Sequence, residues 1–288
     1  MKVRAPATNA EAEPDWSCFD APEAGDVEAA DAGQIAAPSP RTIQLRLGIG
    51  PLPDAPDLAQ RLTMFTMGAT VDVFFAASTL GKPPVTRVFD QSMVAIEVPE
   101  GTLALSARIH PLDRDMAALS LVESREYGIP LPEPGGVAEA TFTLRDSRKL
   151  AADLVLAGGQ PDAARAYLVA LARDCRGRDV SGAQFALIDG ATNAPLAMDA
   201  GADSARSAYT RFALPDPACT FTNAEQPAWM MVNAPVNTTG DAKTHSYRLR
   251  LQGRMRASDR APIVFGEAEI ELISGVITRI DSLPRVYR

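Results

Sequence analysis

The sequence is poor in the residues that carry most enzyme chemistry. Its 288 residues include 2 His and 3 Cys. The cysteines, Cys18, Cys175 and Cys219, form no C-x-x-C pair. Only His110 and His245 could add imidazole ligands, so neither a zinc site nor a redox centre is expected and no cofactor is implied. A Gly-x-Ser-x-Gly elbow, a P-loop and a His-Glu-x-x-His helix are all missing. A catalytic triad would have to use one of the two histidines. His110 ends an alternating stretch beside Pro111, and His245 opens another. Each reads first as an edge residue of a strand and only second as a base. Scattered carboxylates cannot be paired from sequence alone. The chain is therefore not expected to be an enzyme.

Long apolar runs are missing as well. None approaches the ~18 residues a transmembrane helix needs, and the mean hydropathy is -0.05. Behind the opening Met-Lys-Val-Arg-Ala-Pro no apolar stretch follows, so no signal peptide is expected.

Proline and glycine, by contrast, are plentiful. The 23 prolines and 20 glycines are scattered, which favours many short elements joined by turns. The hydrophobic share of 46% is ordinary for a globular protein, and the length suits two domains. The net charge of -8 is unevenly placed. Glu11, Glu13, Asp15, Asp20, Glu23, Asp26, Glu28 and Asp31 face only Lys2 and Arg4 in residues 1–40. That segment has no periodicity and is read as a disordered acidic Ala/Pro-rich tail, Trp16 and Phe19 excepted. Acidity argues against a nucleic-acid partner.

From Arg41 the pattern becomes that of strands. Ile43, Leu45, Leu47 and Ile49 alternate with Gln44, Arg46 and Gly48. Thr70–Phe75 is a β-branched and aromatic run. Ser92–Val98 and Thr102–His110 read as a hairpin around Pro99-Glu100-Gly101. In Asp113–Tyr127, Met116, Leu119 and Val122 fit a short helix. Glu139–Leu144 reads as a strand and Ser147–Ala157 as the best helix, with Leu150 and Leu154 on one face and Gly158-Gly159 at its end. Beyond Pro161 short strands return: Ala166–Asp174, Gly182–Ile188, Ser207–Phe212, Ala228–Asn233, His245–Met255, Ile263–Leu272 and Gly275–Ile280. The expected fold is mainly β, with two immunoglobulin- or transthyretin-like antiparallel sandwiches and one or two short helices between them. The expected organisation is a tail over 1–40, a first sandwich over 41–145, a helical linker over 146–164 and a second sandwich over 165–288.

Several stretches resemble a known family. Ala172–Ile188, with Val180-Ser-Gly-Ala-Gln-Phe185 inside it, resembles the opening of carboxypeptidase-regulatory-like domains. Trp229-Met-Met-Val-Asn-Ala-Pro235 resembles that family's later Asn-Val-Pro strand end, with Ala234 where Val is usual, and Glu267–Pro284 its closing hairpin. Gly68-Ala-Thr-Val-Asp-Val73 and Val94–Gly101 look like a degenerate copy of the same module. The whole layout, with Trp16-Ser-Cys18 after a low-complexity tail, resembles bacterial secreted or lipid-anchored envelope proteins with tandem modules. The resemblance implies a cell-envelope or extracellular location, while the start of the chain leaves the cytoplasm open. Two departures stand against it: no lipobox precedes Cys18, and neither copy has a clear Thr-Asp-x-x-Gly turn. Transthyretin-like hydroxyisourate hydrolases end in Tyr-Arg-Gly-Ser, whereas this chain ends Val286-Tyr287-Arg288, so that activity is not expected. With two cysteines inside one expected sandwich, a Cys175–Cys219 disulfide is expected, leaving Cys18 unpaired.

Two surfaces invite a ligand. In Tyr247–Arg256, Arg248, Arg250, Gln252, Arg254 and Arg256 fall on one face, a ladder suited to sulfate, phosphate or an acidic glycan. The competing reading is a solvated face neutralised by Glu267, Glu269 and Glu271 on the next strand. Arg250 is then expected opposite Glu269 or Glu271. Trp229 would stack a sugar if exposed, but beside Met230 and Met231 it reads more readily as core. The leading expectation is a non-catalytic recognition, adhesion or scaffolding module with a protein or glycan partner. A carbohydrate-binding accessory module is the runner-up, and a hydrolase with an interdomain site is the third.

Overall fold

A computed structural model of the chain describes residues 39–49, 69–75, 84–89, 93–102, 104–110, 121–142, 145–160, 162–174, 178–198, 204–211, 214–222, 228–237, 243–253 and 263–282. The expected tail up to residue 38, with Trp16, Cys18 and Phe19, lies outside them, as do Met116, Leu119, Cys175, Arg254, Met255 and Arg256. The protein is mainly β, and one short helix occurs among the described residues. Two compact units are present. One is drawn from Ala30–Leu150 and Val276–Arg279, the other from Ala151–Gly275 and Ile280–Arg288. No helix among the described residues is long and apolar enough to cross a membrane.

The first unit contains β1 (Arg41–Ile49), β2 (Ala69–Phe75), β3 (Val85–Phe89), β4 (Met93–Val98), β5 (Ala104–His110), the short β6 (Leu121–Val122), β7 (Ser124–Pro130), β8 (Val137–Phe142) and the short β9 (Arg145–Asp146). One sheet has the order β4-β1-β8 and another runs β7-β5-β2-β3. Alternation explains why these residues form facing sheets. In β2, Ala69, Val71, Val73 and Phe75 are buried while Thr70, Asp72 and Phe74 are only partly so. They share a core with Ile43 and Leu45 of β1, Ile96 and Val98 of β4, and Ala138, Ala140 and Phe142 of β8. A sandwich results.

Three expectations fail in this unit. Ser92–Val98 and Thr102–His110 do not form a hairpin: β4 pairs with β1, whereas β5 pairs with β2 and β7. The turn does exist, with Gly101 at φ 78° and Thr102 donating from both its amide and hydroxyl to the Pro99 carbonyl. It carries the chain from one sheet to the other. The helix expected within Asp113–Tyr127 is also absent from its described part, where β6 and β7 stand instead. Nor is the sandwich wholly antiparallel, since β1 and β8 run parallel, Leu45 opposite Ala138 and Leu47 opposite Ala140.

The helix α1 (Ser147–Leu156) forms where the sequence places it. Leu150 and Leu154 are buried on one face. Gly158, at φ 86°, ends it, and the Gly159 amide donates to the Leu154 carbonyl.

The second unit contains β10 (Ala166–Ala172), β11 (Gln184–Asp189), β12 (Arg206–Arg211), β13 (Leu214–Asp216), β14 (Ala228–Ala234), β15 (Thr244–Gly253) and β16 (Ile263–Ile273). The last strand, β17 (Ile277–Ser282), lends Ile277–Arg279 to the first unit. One sheet includes β13-β12-β14-β10 and the other is β11-β15-β16. Phe185 of β11 stacks on Trp229 of β14 with ring centroids 5.6 Å apart, and the Phe185 amide donates to the Tyr209 hydroxyl of β12 at 2.9 Å. These contacts join the two sheets through the core.

Candidate functional site

The arginine ladder lies on the expected hairpin. β15 and β16 pair antiparallel, with Tyr247 opposite Ile270 and Leu249 opposite Ala268 on the buried face. On the other face Arg248 stands opposite Glu269, and Arg250 opposite Glu267. Arg250 thus misses both acids expected for it. The strands also shift register between Leu251 and Gln252, where β16 carries one extra residue that no alternation count reveals. Without the shift the even-numbered arginines would oppose even-numbered residues of β16, and the glutamates would point to the other face. Glu267 takes both guanidiniums: Arg248 Nη1 donates to its Oε2 at 3.0 Å and Arg250 Nε to its Oε1 at 2.5 Å. All three side chains are about one-third exposed, at 32%, 33% and 28%. The two arginines are held along the sheet. Arg254 and Arg256 lie outside the described residues.

Trp229 is a correction to the sugar-stacking reading. It is 1% exposed, packed between Phe185 and the strands beside β14, so its ring offers no platform to a ligand. Cys219 donates its thiol to Asp216 Oδ2 at 3.4 Å. Burial and that carboxylate push the thiol up from its ordinary value, the opposite of an activated nucleophile. Its expected partner Cys175 lies outside the described residues.

Both histidines sit in carboxylate pairs. His245 Nε2 lies 2.7 Å from Asp189 Oδ2, and its ring meets Tyr247 edge-on at 4.6 Å. The other oxygen of Asp189 accepts from the amides of Ala191 and Thr192 and from the Thr192 hydroxyl. The Thr192 amide is the largest influence on this carboxyl; burial opposes it, His245 assists, and the group is held at about 2. The turn that presents Asp189 needs Gly190, because a Cβ there would lie 2.6 Å from the Ser246 carbonyl oxygen.

A polar cluster covers the outer face of β2 and β5. His110 is spanned by two acids: Nε2 is 2.7 Å from Asp72 Oδ2, and Nδ1 is 3.0 Å from Glu123 Oε1. Arg108 forks onto Glu123 Oε2, with Nε at 3.1 Å and Nη2 in closer contact. Thr86 donates its hydroxyl to Asp72 Oδ1 at 2.7 Å. The β2–β5 register, with Thr70 opposite His110 and Asp72 opposite Arg108, explains how residues 38 apart in sequence meet. The hydrogen bond to Glu123 raises the His110 ring above its ordinary value; burial opposes, and Asp72 reinforces it. Burial alone would raise Glu123, but His110 and Arg108 outweigh it and hold the carboxyl at about 2. Beside the cluster, Arg125 lies over the rings of Phe74 and Tyr127, at 4.0 and 4.5 Å.

Sequence reasoning named both histidines but neither acid of the His110 cluster. The signal lay in Asp72, a charged residue in the β-branched run Thr70–Phe75, where only a partner on the outer face makes a carboxylate tolerable. Among the described residues no three His, Cys, Asp or Glu are grouped to hold a metal ion.

No family model matches the sequence, and no curated protein matches it. One solved structure, described as "a putative cell adhesion protein" from Bacteroides eggerthii, aligns over 88% of this chain and 90% of its own, at 10% identity and a TM-score of 0.22. A score that low does not establish a common fold.

Proposed function

We propose that this chain is a non-catalytic recognition or scaffolding module of the cell envelope or exterior, its two sandwiches being carboxypeptidase-regulatory-like modules in tandem. The observation that carries this reading is the engagement of His110. A general base needs a ring nitrogen facing the proton it removes. Both nitrogens of His110 instead face carboxylates, within 3.0 Å. The nearby hydroxyl of Thr86 donates to Asp72 and not to the ring. In the second unit His245 Nε2 is likewise taken by Asp189. The polar groups of both units are arranged to fix strands and turns, which suits a rigid module that presents surfaces to a protein or glycan partner.

The test uses the full chain and His110→Gln and His245→Gln variants. Each is assayed for binding to a glycan array and to isolated cell-envelope fractions, and for turnover of ester, glycoside and peptide substrates. Saturable binding by all three proteins, with no turnover, is the expected result. Turnover that disappears in either variant would overturn the proposal.

A further inference from the structure

The Asp72–His110–Glu123 bridge joins three separate pieces of the first unit. Asp72 belongs to β2, His110 ends β5, and Glu123 lies between β6 and β7. Glu123 also acts through its backbone, where its carbonyl accepts the amide of Ile277 at 3.0 Å. Ile277 opens the stretch of β17 that belongs to this unit; it, the preceding Val276 and the following Thr278 are all buried. A single residue therefore ties the histidine to the place where the C-terminal strand is seated.

We infer that the Asp72–His110–Glu123 bridge is a proton-dependent latch on the seating of Val276–Arg279. The chemistry follows from the two ring nitrogens. A charged imidazolium donates from both, so each carboxylate receives a hydrogen bond. A neutral ring has one N–H and one lone pair. With acids within 3.0 Å of both nitrogens, loss of the proton leaves one carboxylate facing that lone pair. Asp72 keeps the Thr86 hydroxyl, and Glu123 keeps Arg108, but the three-way tie is broken. The charged groups facing His110 from the described elements are Asp72 on β2, Arg108 on its own strand and Glu123; Arg125 of β7 stands opposite Arg108. Asp113, Arg114 and Asp115 follow in sequence and lie outside the described residues.

The working range follows from the signs of the shifts. The His110 ring is raised above 6.5, so its contribution is complete below 6.5 and is lost as pH climbs through the folded value. Glu123 is lowered from 4.5 to about 2, so its contribution is complete above 4.5 and is lost as pH falls through about 2. The latch is closed between these limits and opens on the alkaline side.

Carbon-edited NMR of the full chain follows both imidazoles with pH, and the His245→Gln variant assigns the two signals. Amide exchange at Ile277 is measured over the same series and corrected for its intrinsic rate. The His110 midpoint should lie above 6.5, and exchange at Ile277 should become at least about tenfold faster across that same midpoint. In His110→Gln the step in exchange should be absent. If that variant does not fold, Asp72→Asn replaces it and should lower the midpoint. A midpoint at or below 6.5, an Ile277 rate that ignores the titration, or a step that persists without His110 would each overturn the latch.

Discussion

The carboxylate of Asp189 shows how one side chain shapes a turn. One oxygen accepts from two backbone amides and a hydroxyl, and the other meets His245. Asp189→Ala leaves those amides to water and strips the histidine of its partner. The expected loss is about 1–3 kcal/mol at neutral pH, the cost of orphaning partly buried donors. The folded carboxyl sits at about 2 against an ordinary 3.8. Its stabilisation is therefore complete above 3.8 and is lost as pH falls through about 2. Urea denaturation of both proteins across that range should show the gap closing with acid. A gap that persists below the folded value would assign the loss to packing and not to the carboxylate. At this scale the sequence was informative about type and silent about partners. Trp229 beside Met230 and Met231 is legible as core. The acids around His110 were not, because they stand 38 and 13 residues away and only strand pairing brings them in.

Elements show the same division between face and partner. Alternation marks the buried faces of β1, β15 and β16, yet the strands flanking Gly101 go to different sheets, since local pattern does not encode pairing. β7 gives no strand signal for a different reason. Ser124, Arg125 and Glu126 are consecutive and all buried, so both faces of the strand are covered and the period-2 hydrophobic signal vanishes. β3 gives no strand signal because Thr86, Arg87 and Val88 are all exposed, leaving no alternation to detect. That exposure has a consequence. Among the described residues β3 ends its sheet, and Arg87 stands opposite the fully buried Val71, so it is rooted on the core side of that terminal strand. A charge rooted there resists edge-to-edge pairing with another chain. Arg87→Val should keep folding stability within about 0.5 kcal/mol, yet shift sedimentation velocity profiles toward larger species than the parent forms. A variant that sediments like the parent at equal concentration would show that the edge is guarded by something else.

At the scale of the whole molecule, sequence order and structural membership part company near the C-terminus. A reading by composition and turn signals assigns everything beyond residue 165 to one sandwich. Val276–Arg279 nevertheless groups with residues from the first part of the chain. The physical reason is long-range pairing: the Ile277 amide bonds to the Glu123 carbonyl, and Arg279 Nε lies 3.7 Å from Glu126 Oε1. No local signal marks such a return, because an apolar segment is equally suited to either core. Ile277 is 3% exposed, so Ile277→Ala removes buried methyl groups and should cost about 2–5 kcal/mol. The location of that cost is the informative part. Hydrogen exchange read by mass spectrometry should show protection falling most in peptides covering β1, β2 and β5, which precede the substitution by well over half the chain. Peptides covering β14 and β15, its near neighbours in sequence, should change less. If those later strands lost protection first, β17 would be stabilising the unit it follows, and the discontinuous grouping would be wrong.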